Sequence, residues 1–331
     1  MEKMTLAEFL EEWHSPSDRL LVHTSGSTGK PKPLWVEKRR MEASARITCS
    51  FLGLQPGDTA LLCMPLDFIA GKMMVVRSLT CGLRLVSVEP SSHPLKGWES
   101  DAPVFAAMVP MQVFHTLQVP AEREVLRQVR HLIIGGGAID ASLQQALADF
   151  PYAVWSTYGM TETLSHIALR RLNGQQSDDY YTPFSGVTVR INADGCLVIE
   201  APAVCDGLLT TNDRAELHAD GRRFRILGRK DNVVCSGGIK LQIEEIERKL
   251  KDCIHVPYMI TKCPDPALGE MVVMLVEDAD TAGYREICAD TLLIYERPRM
   301  IVSVERLPVT ATGKPARYEA ELLAKKSVCR R

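Results

Sequence analysis

The residues Thr24, Ser25, Gly26, Ser27, Thr28, Gly29 and Lys30, followed by Pro31 and Lys32, bring hydroxyls, glycine backbone and two lysines into nine consecutive positions. Such a segment can close N–H, O–H and ammonium donors around a dense anion without steric obstruction, which is the chemistry of a polyphosphate site. It is not a Walker loop, because Lys30 is followed by Pro31 rather than Ser or Thr. Four more clusters follow. Ser156-Thr157-Tyr158-Gly159-Met160-Thr161-Glu162-Thr163 presents an aromatic ring, hydroxyls and a carboxylate at the expected end of a strand. Thr211-Asn212-Asp213 sets a carboxylate on an expected tight turn. Gly228-Arg229-Lys230-Asp231 leads into Ser236-Gly237-Gly238-Ile239-Lys240, and Thr310-Ala311-Thr312-Gly313-Lys314 holds a lysine at a glycine turn near the C-terminus. Each cluster alone also has a bland reading, as a solvated turn or a surface acid.

The elements that must position these residues alternate. Apolar, β-rich runs at 20–22, 59–63, 83–88, 104–108, 131–134 and 153–155 are separated by helical patterns at 37–52, 71–80, 111–117 and 141–148. That order predicts an α/β domain with a largely parallel sheet, the first strand passing through the phosphate loop into a helix. After Asn173 the texture changes. Short runs at 187–191, 196–200, 215–218 and 223–227, punctuated by Asp194-Gly195, Asp206-Gly207 and Asp220-Gly221, predict a small antiparallel β subdomain. A compact C-terminal unit follows, with a Gly-Gly turn, helices at 242–251 and 281–293, and strands near 256–261, 271–276 and 301–304. The expected division is a large domain over 1–228 and a small α+β domain over 229–331.

Composition excludes several classes. The chain has 331 residues, 46% hydrophobic and 24% charged, with a net charge of −2, so no field gathers nucleic acid or an anionic membrane. Its longest apolar region, 73–88, is broken by Arg77 and Arg84, so no membrane insertion is expected. Ten scattered cysteines without a CxxC pair suit free thiols in a reducing cytoplasm better than disulfides or zinc. The N-terminal residues Glu2, Glu8, Glu11 and Glu12 carry no secretory core. The sequence leaves the oligomeric state open, a homodimer included.

The five clusters, in this order and at these separations, strongly resemble the adenylate-forming superfamily of acyl-CoA synthetases, luciferases and peptide-synthetase adenylation domains. The resemblance runs from about Leu20 to Lys314. Within it, Pro65-Leu66-Asp67-Phe68-Ile69-Ala70-Gly71 with Arg77, and Tyr158–Thr163 continuing into Ser165-His166-Ile167-Ala168, look like o-succinylbenzoate–CoA ligases of menaquinone biosynthesis.

The resemblance implies a two-step reaction. A carboxylate attacks the α-phosphorus of ATP, and the thiol of coenzyme A then displaces AMP. It implies that the 24–30 loop holds phosphates, that Glu162 beside Thr161 places Mg²⁺, and that Tyr158 stacks on adenine opposite Gly136, Gly137 and Ala138. Thr157, Gly159 and Met160 would complete the nucleotide site. Asp213 and Arg229 would hold the ribose, and Lys314 would bridge the reacting carboxylate and phosphate. The small domain would be mobile, turning about Lys230 and Asp231 to bring Gly237 and Gly238 to the coenzyme A channel. For a dicarboxylate, Arg77 would pair with the second carboxylate, with Lys72, Ser165 and His166 nearby.

Three departures from the family pattern stand out. The chain starts almost at the phosphate loop, which implies a large domain shortened at its N-terminus. Asp67-Phe68 replaces the usual aromatic-His pair, and Asn212 replaces a glycine. Another aryl- or acyl-CoA synthetase, or a module loading a carrier protein, fits the same clusters.

Overall fold

The computed structural model describes residues 4–23, 33–137, 139, 141–310 and 314–328. It opens with a helix absent from the sequence expectation, α1 (Leu6–His14). A reciprocal cap starts it: the Thr5 side chain accepts from the Glu8 amide, and the Glu8 carboxylate accepts from the Thr5 amide. Leu6, Phe9, Leu10 and Trp13 recur at helical spacing, and Phe9 is fully buried in the main core.

The strands β1 (Arg19–His23) and β2 (Pro33–Glu37) then pair antiparallel, with His23 opposite Pro33. This corrects the expected strand–loop–helix order. Residues 24–32 join two paired strands, and α2 (Lys38–Leu52) begins only after β2. The run Leu34-Trp35-Val36 finds ladder partners in Leu20–Val22, and that pairing keeps it extended. The 24–32 loop itself lies outside the described residues, as do Ala138 and residues 311–313.

The predicted alternation follows: β3 (Thr59–Leu62), α3 (Ile69–Cys81), β4 (Arg84–Ser87), β5 (Phe105–Met108), α4 (Pro110–Gln118), α5 (Pro120–Gln128), β6 (His131–Ile134), α6 (Ala141–Leu147) and β7 (Ala153–Gly159), with α5 absent from the sequence expectation. With β8 (His166–Arg171) and β9 (Thr182–Pro183) the strands form a seven-stranded sheet in the order β4-β3-β5-β6-β7-β8-β9. It is parallel from β4 to β7 and antiparallel beyond. The helix α3 is buried on all sides from Gly71 to Ser78, and α2 packs against it. Gly71 is required there, since a Cβ would run into the carbonyl oxygen of Pro65.

Strands β10 (Thr188–Ile191), β11 (Cys196–Glu200), β12 (Leu208–Leu217) and β13 (Phe224–Arg229) form the expected antiparallel sheet, turning at Asp-Gly pairs. One detail is corrected. Thr211-Asn212-Asp213 is no tight turn but part of β12, beside a register shift, and Asn212 has no positive φ. The β11 ladder breaks off at Thr210 and resumes at Arg214, so residues 211–213 form an irregularity within the strand, where Asp213 pairs with Arg229 of β13.

Beyond it, β14 (Val233–Ser236), β15 (Ile239–Gln242), α7 (Ile243–Leu250), β16 (Tyr258–Asp265), β17 (Gly269–Val276), α8 (Tyr284–Thr291), β18 (Met300–Ser303) and α9 (Arg317–Val328) complete the chain. The strands order as β15-β14-β17-β16, with β18 parallel to β17. Buried apolar residues fall into three clusters, one reaching from Phe9 to Phe224 and two lying between Val234 and Ala324.

Candidate active site

A cavity of about 430 Å³ opens at the carboxyl ends of β5, β6 and β7, with Arg77 at its border and Lys314 also on its wall. This is where ligands bind in open parallel sheets. Met64, Phe68, Met108 and Leu164 make much of the wall apolar, and Arg77, Ser165, His166 and Lys314 are among its polar groups.

Arg77 reaches this cavity from α3 and is only 2% exposed. Its Nη2 donates to Ser165 Oγ at 2.6 Å, its Nη1 lies 3.7 Å from Met74 Sδ, and its Nε has no partner. Among the described residues no carboxylate stands within ion-pair distance of it. Burial lowers its pKa to about 10, which leaves it charged at neutral pH. A buried, unpaired guanidinium carries a large desolvation cost that an anionic ligand would offset.

Ser165 Oγ also lies 3.2 Å from His166 Nδ1, whose Nε2 is 3.1 Å from Thr48 Oγ1. Burial, and then the charge of Arg77, push the His166 pKa well below 6.5, so the ring is neutral.

The turn that delivers Ser165 and His166 is strained. Leu164, buried and lining the cavity, has φ +64°, the only positive value at a non-glycine among the described residues. Such a conformation costs on the order of 1–3 kcal/mol in a β-unbranched residue and clusters at functional sites. It reverses the chain after the short 3₁₀ turn Thr161–Thr163, so that β8 folds back along β7. Gly159 permits the crossing, because a Cβ there would strike the Ser165 carbonyl oxygen. Gly135 is equally constrained by Thr157 Oγ1.

Lys314 is held by a backbone bond from the Thr310 amide to its carbonyl, 2.7 Å, and by its own amide donating to Thr310 Oγ1. Burial, then the positive charge of Arg229, lower its pKa from the usual lysine value, and Asp213 opposes the shift. Beside it, Asp213 accepts from the Tyr158 hydroxyl at 2.7 Å and from Arg229 Nη1 at 3.3 Å. Tyr158 packs edge-on against Phe224, 5.1 Å between ring centres, and burial raises its pKa.

The cavity therefore brings together Arg77, Gly136, Thr157, Gly159, Met160, Thr161, Ser165, His166 and Lys314. Tyr158, Asp213 and Arg229 form a hydrogen-bonded group outside its lining, Gly137 is exposed beside Pro110, and Glu162 projects into solvent. The Lys72 assignment is corrected. Its Nζ points to α1, 3.8 Å from Glu12 Oε2 and over the Phe9 ring, and does not line the cavity. Gly237 and Gly238 form the two-residue turn between β14 and β15 at φ +57° and +83°, away from the cavity. Lys230 bonds Asp194, and Asp231 bonds Arg229 and Asn212.

Sequence reasoning missed His23, Gln112 and Leu164 on the wall. Gln112 is buried and ties the Cys63 and Ser91 carbonyls together. No local signal distinguishes it from any other helix glutamine.

The family model described as AMP-binding enzyme matches residues 6–204. The 2-succinylbenzoate–CoA ligase of Salmonella typhimurium is 29% identical over 319 residues, covering 90% of this chain and 67% of the relative. That of Listeria monocytogenes is 26% identical over 334 residues, covering 93% and 70%. Among solved structures, the acyl-CoA synthetase (AMP-forming)/AMP-acid ligase II-like protein from Dyadobacter fermentans is 33% identical with a TM-score of 0.64, covering 95% of this chain and 92% of that one. The O-succinylbenzoate coenzyme A synthetase from Bacillus subtilis, in complex with ATP and magnesium ion, is 22% identical. Its TM-score of 0.75, over 90% of this chain and 69% of that one, speaks for the fold alone.

Proposed function

The chain belongs to the AMP-binding enzyme family, and from that premise we propose that it is an AMP-forming acid–CoA ligase acting on o-succinylbenzoate in menaquinone biosynthesis. It joins the carboxylate to coenzyme A at the expense of ATP, releasing AMP and pyrophosphate. The observation that carries the substrate is Arg77: a buried cation without a carboxylate partner among the described residues, at the edge of a mostly apolar cavity whose wall also carries Lys314. An aromatic acid with a second carboxylate satisfies both features, because its ring takes the apolar wall and its spare carboxylate takes the guanidinium. The names of the curated relatives agree.

In the first half-reaction Lys314 serves as a compact charge at the reacting carboxylate and the α-phosphate, and its gain is largest in the transition state. The loop residues 24–30 and the backbone at Gly136 take the phosphates and adenine, with Tyr158, Asp213 and Arg229 at the ribose side. Glu162, exposed and without an ion-pair partner among the described residues, is the carboxylate that would hold Mg²⁺. One protein oxygen fits a metal that takes the rest of its shell from phosphates and water, and there it would offset phosphate charge. For thiolysis, the proposed small domain 229–331 turns about Lys230 and Asp231, removing Lys314 and bringing up the Gly237-Gly238 turn. The separate apolar clusters on either side of this point support the division. The proposed setting is the cytoplasm, where the cysteines of the described residues, none of them in a disulfide, stay thiols.

The test is carboxylate-dependent exchange of pyrophosphate into ATP, followed by thioester formation. Exchange is expected with o-succinylbenzoate, and product with free coenzyme A. Exchange with benzoate or a fatty acid but none with o-succinylbenzoate would overturn the substrate, and product only on a carrier phosphopantetheine would overturn the acceptor.

A further inference from the structure

The hydrogen-bond chain behind Arg77 ends on a residue that no site motif contains and that does not line the cavity. We propose that Thr48, on α2, is a positioning residue: through His166 and Ser165 it sets the orientation in which Arg77 meets the distal carboxylate of the substrate.

Proton placement follows from the groups that can only accept. The Ser44 carbonyl lies 3.1 Å from Thr48 Oγ1 and takes the hydroxyl proton. Thr48 then offers a lone pair to His166 Nε2, 3.1 Å away, which must carry N–H. A neutral imidazole with a proton on Nε2 has a bare Nδ1, and that atom accepts from the Ser165 hydroxyl at 3.2 Å. The lone pairs of Ser165 Oγ are left facing Arg77 Nη2 at 2.6 Å. Every hydroxyl proton in the chain is used. In the opposite sense, with the proton on Nδ1, Thr48 abandons the Ser44 carbonyl and the Ser165 proton has no acceptor in the chain, so one bond is lost. Thr48 is fully buried and Ser44 and His166 nearly so, which makes a lost bond costly. The assignment has a consequence for recognition: Ser165 spends its proton inward, so it orients Arg77 and donates nothing to the substrate. The neutral ring that this requires agrees with the burial of His166 beside a cation.

The inference rests on Arg77 binding the substrate's second carboxylate, and the test separates the two. In protein labelled with ¹⁵N-histidine, His166, identified by the signal lost in His166→Gln, is expected as the Nε2–H tautomer. Thr48→Val keeps the shape and removes the hydroxyl. It is expected to shift His166 towards Nδ1–H and to raise KM for o-succinylbenzoate by about three- to tenfold, the worth of one hydrogen bond. KM for ATP and kcat should hold, and Thr48→Ser should restore the wild-type KM. An Nδ1–H tautomer in the wild type overturns the proposal, with or without a folded Thr48→Val. A raised KM in Arg77→Ala with an unchanged KM in Thr48→Val overturns it alone. An unchanged KM in Arg77→Ala overturns the substrate reading and the proposal with it.

Discussion

Arg77 and Lys314 border the same cavity but are carried in opposite ways. Arg77 sits in the stretch of α3 that is buried on every side, and its guanidinium is braced by Ser165 in the turn that enters β8. Lys314 sits in a turn closed by Thr310, in a C-terminal unit that meets the β10–β13 sheet through polar contacts, among them the pair Lys230–Asp194, with side chains 51% and 60% exposed, and the buried Gln242 accepting from Arg214. Exposed pairs of this kind constrain little, because water and salt compete with them. Under the proposed function the contrast separates recognition from chemistry: the group proposed to read the substrate is fixed in the core, whereas the group proposed to activate it would be withdrawn with the small domain. A two-step ligase needs that arrangement, since the acyl group must stay in place while its surroundings change.

Arg77→Ala tests the rigid end and carries the largest expected effect. Leaving a buried carboxylate without its partner should weaken o-succinylbenzoate binding by about 2–5 kcal/mol. ATP and coenzyme A binding should change little, so the comparison breaks if KM for all three substrates rises together. Lys314→Ala tests the movable end. Loss of about 10²–10³ in pyrophosphate exchange is expected, with turnover of preformed acyl-adenylate by coenzyme A retained. Gly238→Leu should do the converse, sparing exchange and slowing thiolysis. Equal loss of both half-reactions in Lys314→Ala, with circular dichroism unchanged, would point to one fixed arrangement.

A smaller effect sharpens the electrostatics of that end. Burial and Arg229 lower the Lys314 pKa, so the charged amine is lost as pH rises through a value below the ordinary 10.5. Exchange activity should therefore fall on the alkaline side earlier than for an ordinary lysine. Arg229→Gln removes a neighbouring positive charge and should move that limb to higher pH; a limb that stays where it was removes Arg229 from the Lys314 environment.

Much of this was legible in the residues alone. The strands at 131–134 and 196–200 stand at their expected bounds, and the Asp-Gly turns fall where expected, because period and turn chemistry are local. Even the Lys72 correction had a local signal: five helical positions put Lys72 and Arg77 about 140° apart, so both cannot face one cavity. The helix α1 was likewise readable from its Thr5/Glu8 cap, whereas α9 was not, since its buried face rests on Ala320 and Ala324 and gives weak periodicity.

What the sequence by itself determined is therefore the family, the alternation of elements and the inventory of charged groups. Only the tertiary structure decided which of them meet. Arg77 and Ser165 are 88 positions apart and Thr48 and His166 are 118 apart, and no local pattern constrains pairs at that range. Strand pairing likewise set β2 antiparallel to β1, where the local pattern predicts a loop running into a helix. The physical reason is the same in each case: a helix or turn preference is worth tenths of a kcal/mol per residue, and burial or a ladder of backbone bonds overrides it.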